Sequence, residues 1–112
     1  MKIAIPVAAG RLATHFGHCQ EFHLVAVDRE RGEILGSETL PAPPHQPGLL
    51  PAWLAERGAG LIIAGGMGRR AQDLFARSGI EVVVGAPPEE PESLARAWLE
   101  GRLEGGDNLC DH

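Results

Sequence analysis

A chain of 112 residues, 44% of them hydrophobic, can bury one real core and is too short for two domains of ordinary size. Its formal net charge is −5 and it has no basic run longer than Arg69-Arg70, which argues against nucleic acid as a partner, because phosphate binding needs clustered lysines and arginines. No stretch approaches the roughly 20 apolar residues of a membrane span.

The opening MKIAIPVAAG has a lysine, an apolar run and small residues, as a signal peptide does. The run is too short for an h-region and contains Pro6, whereas the alternation of Ile3, Ile5 and Val7 predicts a strand over Lys2–Val7. The protein is therefore read as cytoplasmic. A loop follows, Arg11 to Gln20, in which His15, His18 and Cys19 fall within five positions around Gly17. Phe16 and Phe22 read as core or loop anchors. Glu21–Asp28 and Glu33–Leu40 alternate like strands across the polar turn Asp28–Gly32 and predict an antiparallel hairpin, with Gly36 suited to a sheet edge.

Residues 41–48 are too proline-rich for regular structure, and His45 is their one metal-capable side chain. A helix is expected over Leu49–Arg57, with Leu50, Trp53 and Leu54 inward and Gly58 as its stop. Leu61–Ala64 is an unbroken apolar run, the pattern of a strand buried on both faces. Gly65, Gly66 and Gly68 come next, and from Arg69 the spacing of Ala71, Leu74 and Phe75 is helical until Gly79. Ile80–Val84 predicts a last strand and Pro91–Glu100 a last helix, with Trp98 packing on the sheet. Residues 1–104 are expected to form a single domain, and 105–112 a flexible tail ending Cys110-Asp111-His112. Cys19 and Cys110 do not look like a disulfide framework. Right-handed crossovers place the later strands parallel to the first, the hairpin on its other side and helices on both faces, an α/β fold.

Two features carry chemistry. Strand, glycine turn and helix make a natural anion site, because the first N–H groups of a helix lack intrahelical partners and its dipole is positive at that end. A dinucleotide loop would need an acidic residue after the following strand, which instead ends Val84-Gly85-Ala86, and a P-loop would need Gly-Lys-Ser/Thr where the chain has Gly68-Arg69-Arg70. The second feature is the soft-ligand group His15, His18 and Cys19, to which the tail adds Cys110 and His112. Thiolate and imidazole select iron, zinc, copper and metal–sulfur clusters over hard cations, although the spacings match no zinc-finger template. His23 lies within a strand and reads as structural.

The blocks His15-Phe16-Gly17-His18-Cys19, Ile62-Ile63-Ala64-Gly65-Gly66-Met67-Gly68 and Asn108-Leu109-Cys110-Asp111-His112 resemble the dinitrogenase iron–molybdenum cofactor biosynthesis family. That family includes the NifX-like and NafY-like carriers, the C-terminal domain of NifB and small proteins related to the Orange protein. The resemblance implies a ribonuclease H-like fold with a five-stranded mixed sheet, order 3-2-1-4-5, strand two antiparallel, and helices on both faces. It also implies an iron–sulfur or molybdenum–iron–sulfur cluster as cargo in cofactor assembly for nitrogen fixation, with donor and acceptor proteins as partners and no catalytic turnover. The ligands it implies are His15, His18, Cys19, His45, Cys110 and His112, with Gly65, Gly66, Met67, Gly68 and Arg69 receiving the anionic cargo. A non-catalytic interaction or regulatory domain on the same fold is the alternative, and a Cys19-dependent enzyme is a third reading.

Overall fold

The computed structural model describes residues 1–14, 16, 19–43 and 48–103. In chain order the elements are β1 (Lys2–Ala8), β2 (Arg11–Leu12), β3 (Glu21–Asp28), β4 (Glu33–Pro41), α1 (Leu49–Glu56), β5 (Ala59–Ile63), α2 (Arg69–Arg77), β6 (Glu81–Val83) and α3 (Pro91–Leu99). They form a mixed α/β fold. The sheet runs β4-β3-β1-β5-β6, with β3 antiparallel to both neighbours and β5 and β6 parallel to β1. This is the expected path for the five longer strands, but the sheet has six. The expectation of five is corrected by β2, a two-residue strand that pairs back on the end of β1 through Val7 and Ala8. A pairing this short has no periodicity to read, and it lies inside what the sequence offered only as a loop.

The alternation of β1 divides the interior in two. Ile3, Ile5 and Val7 join Val25, Val27, Leu61 and Ile63 beneath Leu94 and Ala95 of α3. On the opposite face Ala4, Phe22, Leu24 and Ile62 pack against Leu50 and Leu54 of α1 and Phe75 of α2. The hairpin register is regular except between Ala26 and Val27, where Leu35 is the extra residue on β4 and stands 65% exposed. A bulge on a long outer strand limits further strand pairing there. Both tryptophans pack on the sheet as expected and each carries a guanidinium over its ring, Arg57 at 4.0 Å from Trp53 and Arg29 at 5.0 Å from Trp98.

Pro6 sits within a central strand, a place proline usually avoids. The reason it is tolerated also opens the upper end of the sheet. The ladder between β1 and β5 stops at Ala4 and Ile62, and the Pro6 carbonyl accepts the Ala13 N–H at 2.9 Å in place of a strand partner. The chain leaving β1 folds back as β2 on the side that β5 has left, laying Ala13 and Thr14 against Gly65, before it continues to β3 on the other side of β1, while the chain leaving β5 goes through α2 to β6. The crevice between diverging connections, outside the carboxyl ends of the strands, is where open α/β sheets take ligands.

Two stability experiments follow. Phe75 is fully buried, and Phe75→Ala is expected to lower unfolding free energy by about 3–5 kcal/mol in urea melts. A Cβ on Gly65 would stand 2.9 Å from the Thr14 carbonyl oxygen and 3.0 Å from that of Ala13, whereas one on Gly68 meets nothing within 4 Å. Gly65→Ala is therefore expected to cost about 1–3 kcal/mol and Gly68→Ala to stay within about 0.5 kcal/mol of the parent, by the same measurement.

Candidate functional site

The site is built where the first long loop meets the glycine turn. After Ile63, the Ala64 N–H is held by the Val83 carbonyl at 2.8 Å, and the carbonyls of Ala64 and Gly65 accept from Ala86 and Gly85 at 3.1 and 2.7 Å. These bonds fix the turn to the end of β6. On its other side the turn is fixed to the loop. The Gly66 N–H donates to the Thr14 carbonyl at 2.8 Å, and the Gly66 carbonyl accepts the Phe16 N–H at 2.8 Å. Gly65 lets the two backbones come this close, since the Thr14 and Ala13 carbonyls occupy the space of a side chain.

Met67 follows with its side chain fully buried in the α1/α2 core. It therefore offers the turn its backbone, and its carbonyl accepts from Gln72 Nε2 at 2.9 Å. Helix α2 begins after Gly68, which has φ −64° and ψ 152°, a conformation open to most residues. The cap residue, Gly68, makes no side-chain hydrogen bond to this helix end, and the first turn carries no carboxylate. Serine, threonine or aspartate would be the usual choice there. The chain instead has a glycine with open space beside it and exposed Arg69 and Arg70 just after. The arrangement leaves positive potential at the mouth of the turn.

Phe16 reaches from the loop into the same core. Its ring meets Phe75 edge-on, with centroids 5.5 Å apart and planes at 85°, and lies 6.1 Å from Phe22. Its carbonyl accepts the Cys19 N–H at 3.4 Å. Cys19 is half-buried against the α1/α2 core. Burial pushes its thiol above the ordinary range, and the backbone hydrogen bond pulls the other way more weakly. Gln20 closes the loop, donating its N–H to Val7 at 2.8 Å while its own carbonyl accepts from Ala42 at 3.0 Å.

Of the expected ligands, Cys19 is described and lies in this loop, whereas His15, His18, His45, Cys110 and His112 lie outside the described residues, as does the tail. Among the described residues no three His, Cys, Asp or Glu side chains converge on a point that could hold a metal ion. His23 is structural, with Nδ1 on the Thr39 hydroxyl at 2.8 Å and a buried Nε2 without a partner. Sequence reasoning missed Thr14, which ties the loop to the turn, Gln20, which ties the loop to β1, and Gln72, which ties the turn to α2. Thr14 acts through its carbonyl, Gln20 through its main chain and a side-chain Oε1 that accepts the Ala9 N–H at 3.4 Å, and Gln72 is an ordinary helix glutamine, so no side-chain pattern marked them.

Among the described residues no helix is long and apolar enough to cross a membrane. Over 109 residues the chain is 35% identical to an uncharacterized protein of Methanocaldococcus jannaschii, covering 93% of this chain and 90% of that one. The crystal structure of the protein PH0822 superimposes with a TM-score of 0.84 at 28% identity, over 93% of each chain. The apo form of the orange protein from Desulfovibrio gigas has the same fold, with a TM-score of 0.71 at 21% identity, over 96% of this chain and 93% of that one. The family model for dinitrogenase iron-molybdenum cofactor proteins matches residues 1–101, which include the loop, the glycine turn and all three helices, and the chain belongs to that family.

Proposed function

We propose that the protein binds and carries an iron–sulfur or molybdenum-containing metal cluster during iron–molybdenum cofactor assembly, without catalytic turnover. The observation that carries this reading is the N-terminus of α2, with a glycine and no carboxylate at its start, joined through Gly66 to the loop that bears Cys19. Metal–sulfur clusters and thiometallates are anionic, so backbone N–H groups and a helix dipole attract them while a thiolate supplies a direct bond. Family membership supports the same cargo.

The chemistry of the site suits a carrier. A cage of several preformed ligands would hold a cluster tightly, and a cargo that must be handed on is better served by a few bonds and a diffuse electrostatic seat. His15 and His18 neighbour the fastened positions Thr14, Phe16 and Cys19 in sequence, and Cys110 and His112 belong to the tail; these are the side chains proposed to complete the ligand set. Gly65, Gly66, Gly68 and the backbone of Met67 form the floor of the proposed seat, and Arg69 contributes positive charge at its rim. Proteins that donate and accept the cluster are the partners this role requires. A raised thiol pKa weighs against Cys19 as an activated nucleophile, because the thiolate is the attacking form.

Anaerobic titration with a synthetic iron–sulfur cluster or with tetrathiomolybdate, followed by visible absorption and metal analysis, tests the proposal. Uptake by the parent that is lost when His15, Cys19 and Cys110 are replaced together supports it; no uptake, or no effect of the triple replacement, ends it. Gly68→Asp places a carboxylate at the open helix end, and it is expected to keep or raise the melting temperature while weakening uptake about three- to tenfold. Equal affinity would show that the anion does not sit at this turn. For the metal-free protein, iodoacetamide should modify Cys19 slowly at neutral pH, with a rate still rising above pH about 8.5, because the protonated thiol persists beyond the usual range. Fast modification at pH 7 would restore the enzyme reading.

A further inference from the structure

We propose that Phe16 is a positioning residue, whose ring, seated between Phe75 of α2 and Phe22 of β3, holds Cys19 and the glycine turn in one fixed arrangement. The inference rests on the cluster-carrying reading and goes beyond it by naming the side chain on which the site's geometry depends.

Three independent contacts converge on this residue. Its N–H is bonded to the Gly66 carbonyl, two residues before the helix end, and its carbonyl receives the Cys19 N–H. Its ring packs edge-on against Phe75, on the helix whose N-terminus the turn creates. All three phenylalanines of the chain meet here, and Phe22 continues the contact to Trp53 on α1 at 5.8 Å. Phe16 alone among the three is on the loop. The backbone bonds at either side of it are weak singly, about 1 kcal/mol each, and Cys19 is tied to the loop by one of the longer of them, at 3.4 Å. An edge-on aromatic pair adds both buried area and a preferred orientation. Without the ring, the main-chain bonds remain possible but the loop loses its aromatic contact with α2, and a binding group that must be ordered on arrival of its ligand costs affinity.

The experiment compares Phe16→Ala, Phe16→Leu and Leu94→Ala with the parent. Leu94 is fully buried on the other side of the sheet under α3, so Leu94→Ala weakens the fold without touching the loop. Tetrathiomolybdate is titrated anaerobically at a temperature where circular dichroism shows all four proteins folded. Phe16→Ala is expected to bind about tenfold more weakly, Phe16→Leu to recover part of that loss, and Leu94→Ala to bind as the parent does despite its lower melting temperature. Unchanged affinity in Phe16→Ala, or an equal loss in Leu94→Ala, overturns the inference. Iodoacetamide modification of Cys19, mapped by peptide mass spectrometry, is the second measurement. Phe16→Ala should be modified faster than both the parent and Leu94→Ala, and a rate no faster than that of Leu94→Ala overturns the inference. If the parent takes up no tetrathiomolybdate, the cluster-carrying reading falls, and the Cys19 rates alone decide whether Phe16 sets the loop.

Discussion

The close approach of two backbones at Gly65 and Gly66 is the constraint from which the upper end of this molecule follows. The carbonyl oxygens of Ala13 and Thr14 lie where a side chain on residue 65 would be, and Gly66 is bonded on both its N–H and its carbonyl to Thr14 and Phe16. Thr14 and Phe16 are thereby tied to the turn that starts α2. The site is consequently a joint between two segments about fifty residues apart in sequence, held by main-chain bonds.

That joint depends in turn on the way the sheet opens. The ladder between β1 and β5 ends at Ala4, and Pro6, which has no N–H to give, stands at the first place where none is needed on that side. The two strands connect onward to opposite sides of the sheet, β1 to β3 and β5 to β6, and the chain leaving β1 first lies over the end of β5. Stability and function pull against each other locally. A capping side chain at position 68 would strengthen α2, and a smaller loop would spare the sheet an irregular end, yet the chain keeps an open glycine and a long loop.

The two faces of the sheet divide the labour. The α3 face is an apolar core with Leu94 and Ala95 at its centre, and it anchors β1, β3 and β5. The α1/α2 face is equally well filled, but its upper end is finished by residues from the loop, Phe16 and Cys19, in place of residues from a helix or strand. On this face, then, the core is completed by side chains of the same loop that meets the glycine turn. The raised pKa of Cys19 is a direct result: the thiol is buried because the loop that carries it completes a core.

The sequence by itself determined the order and nature of nearly every long element, because strands and helices announce themselves through apolar spacing of two and of three to four residues. Glu21–Asp28, Leu49–Glu56 and Arg69–Arg77 lie where that spacing places them, within a residue or so at their ends. The glycine turn and the residues of the HFGHC block were visible too, since residue type and adjacency are properties of the string. What only the tertiary structure decided is how loop and turn are joined. Thr14 acts through its carbonyl, a group every residue possesses, so no letter in the sequence marks it. The strand β2 is two residues long and leaves no period to detect. Phe16 could be named an anchor, but which ring it anchors to depends on α2 being folded across a sheet whose strands come from both ends of the chain, and that neighbourhood exists only once the whole core has formed.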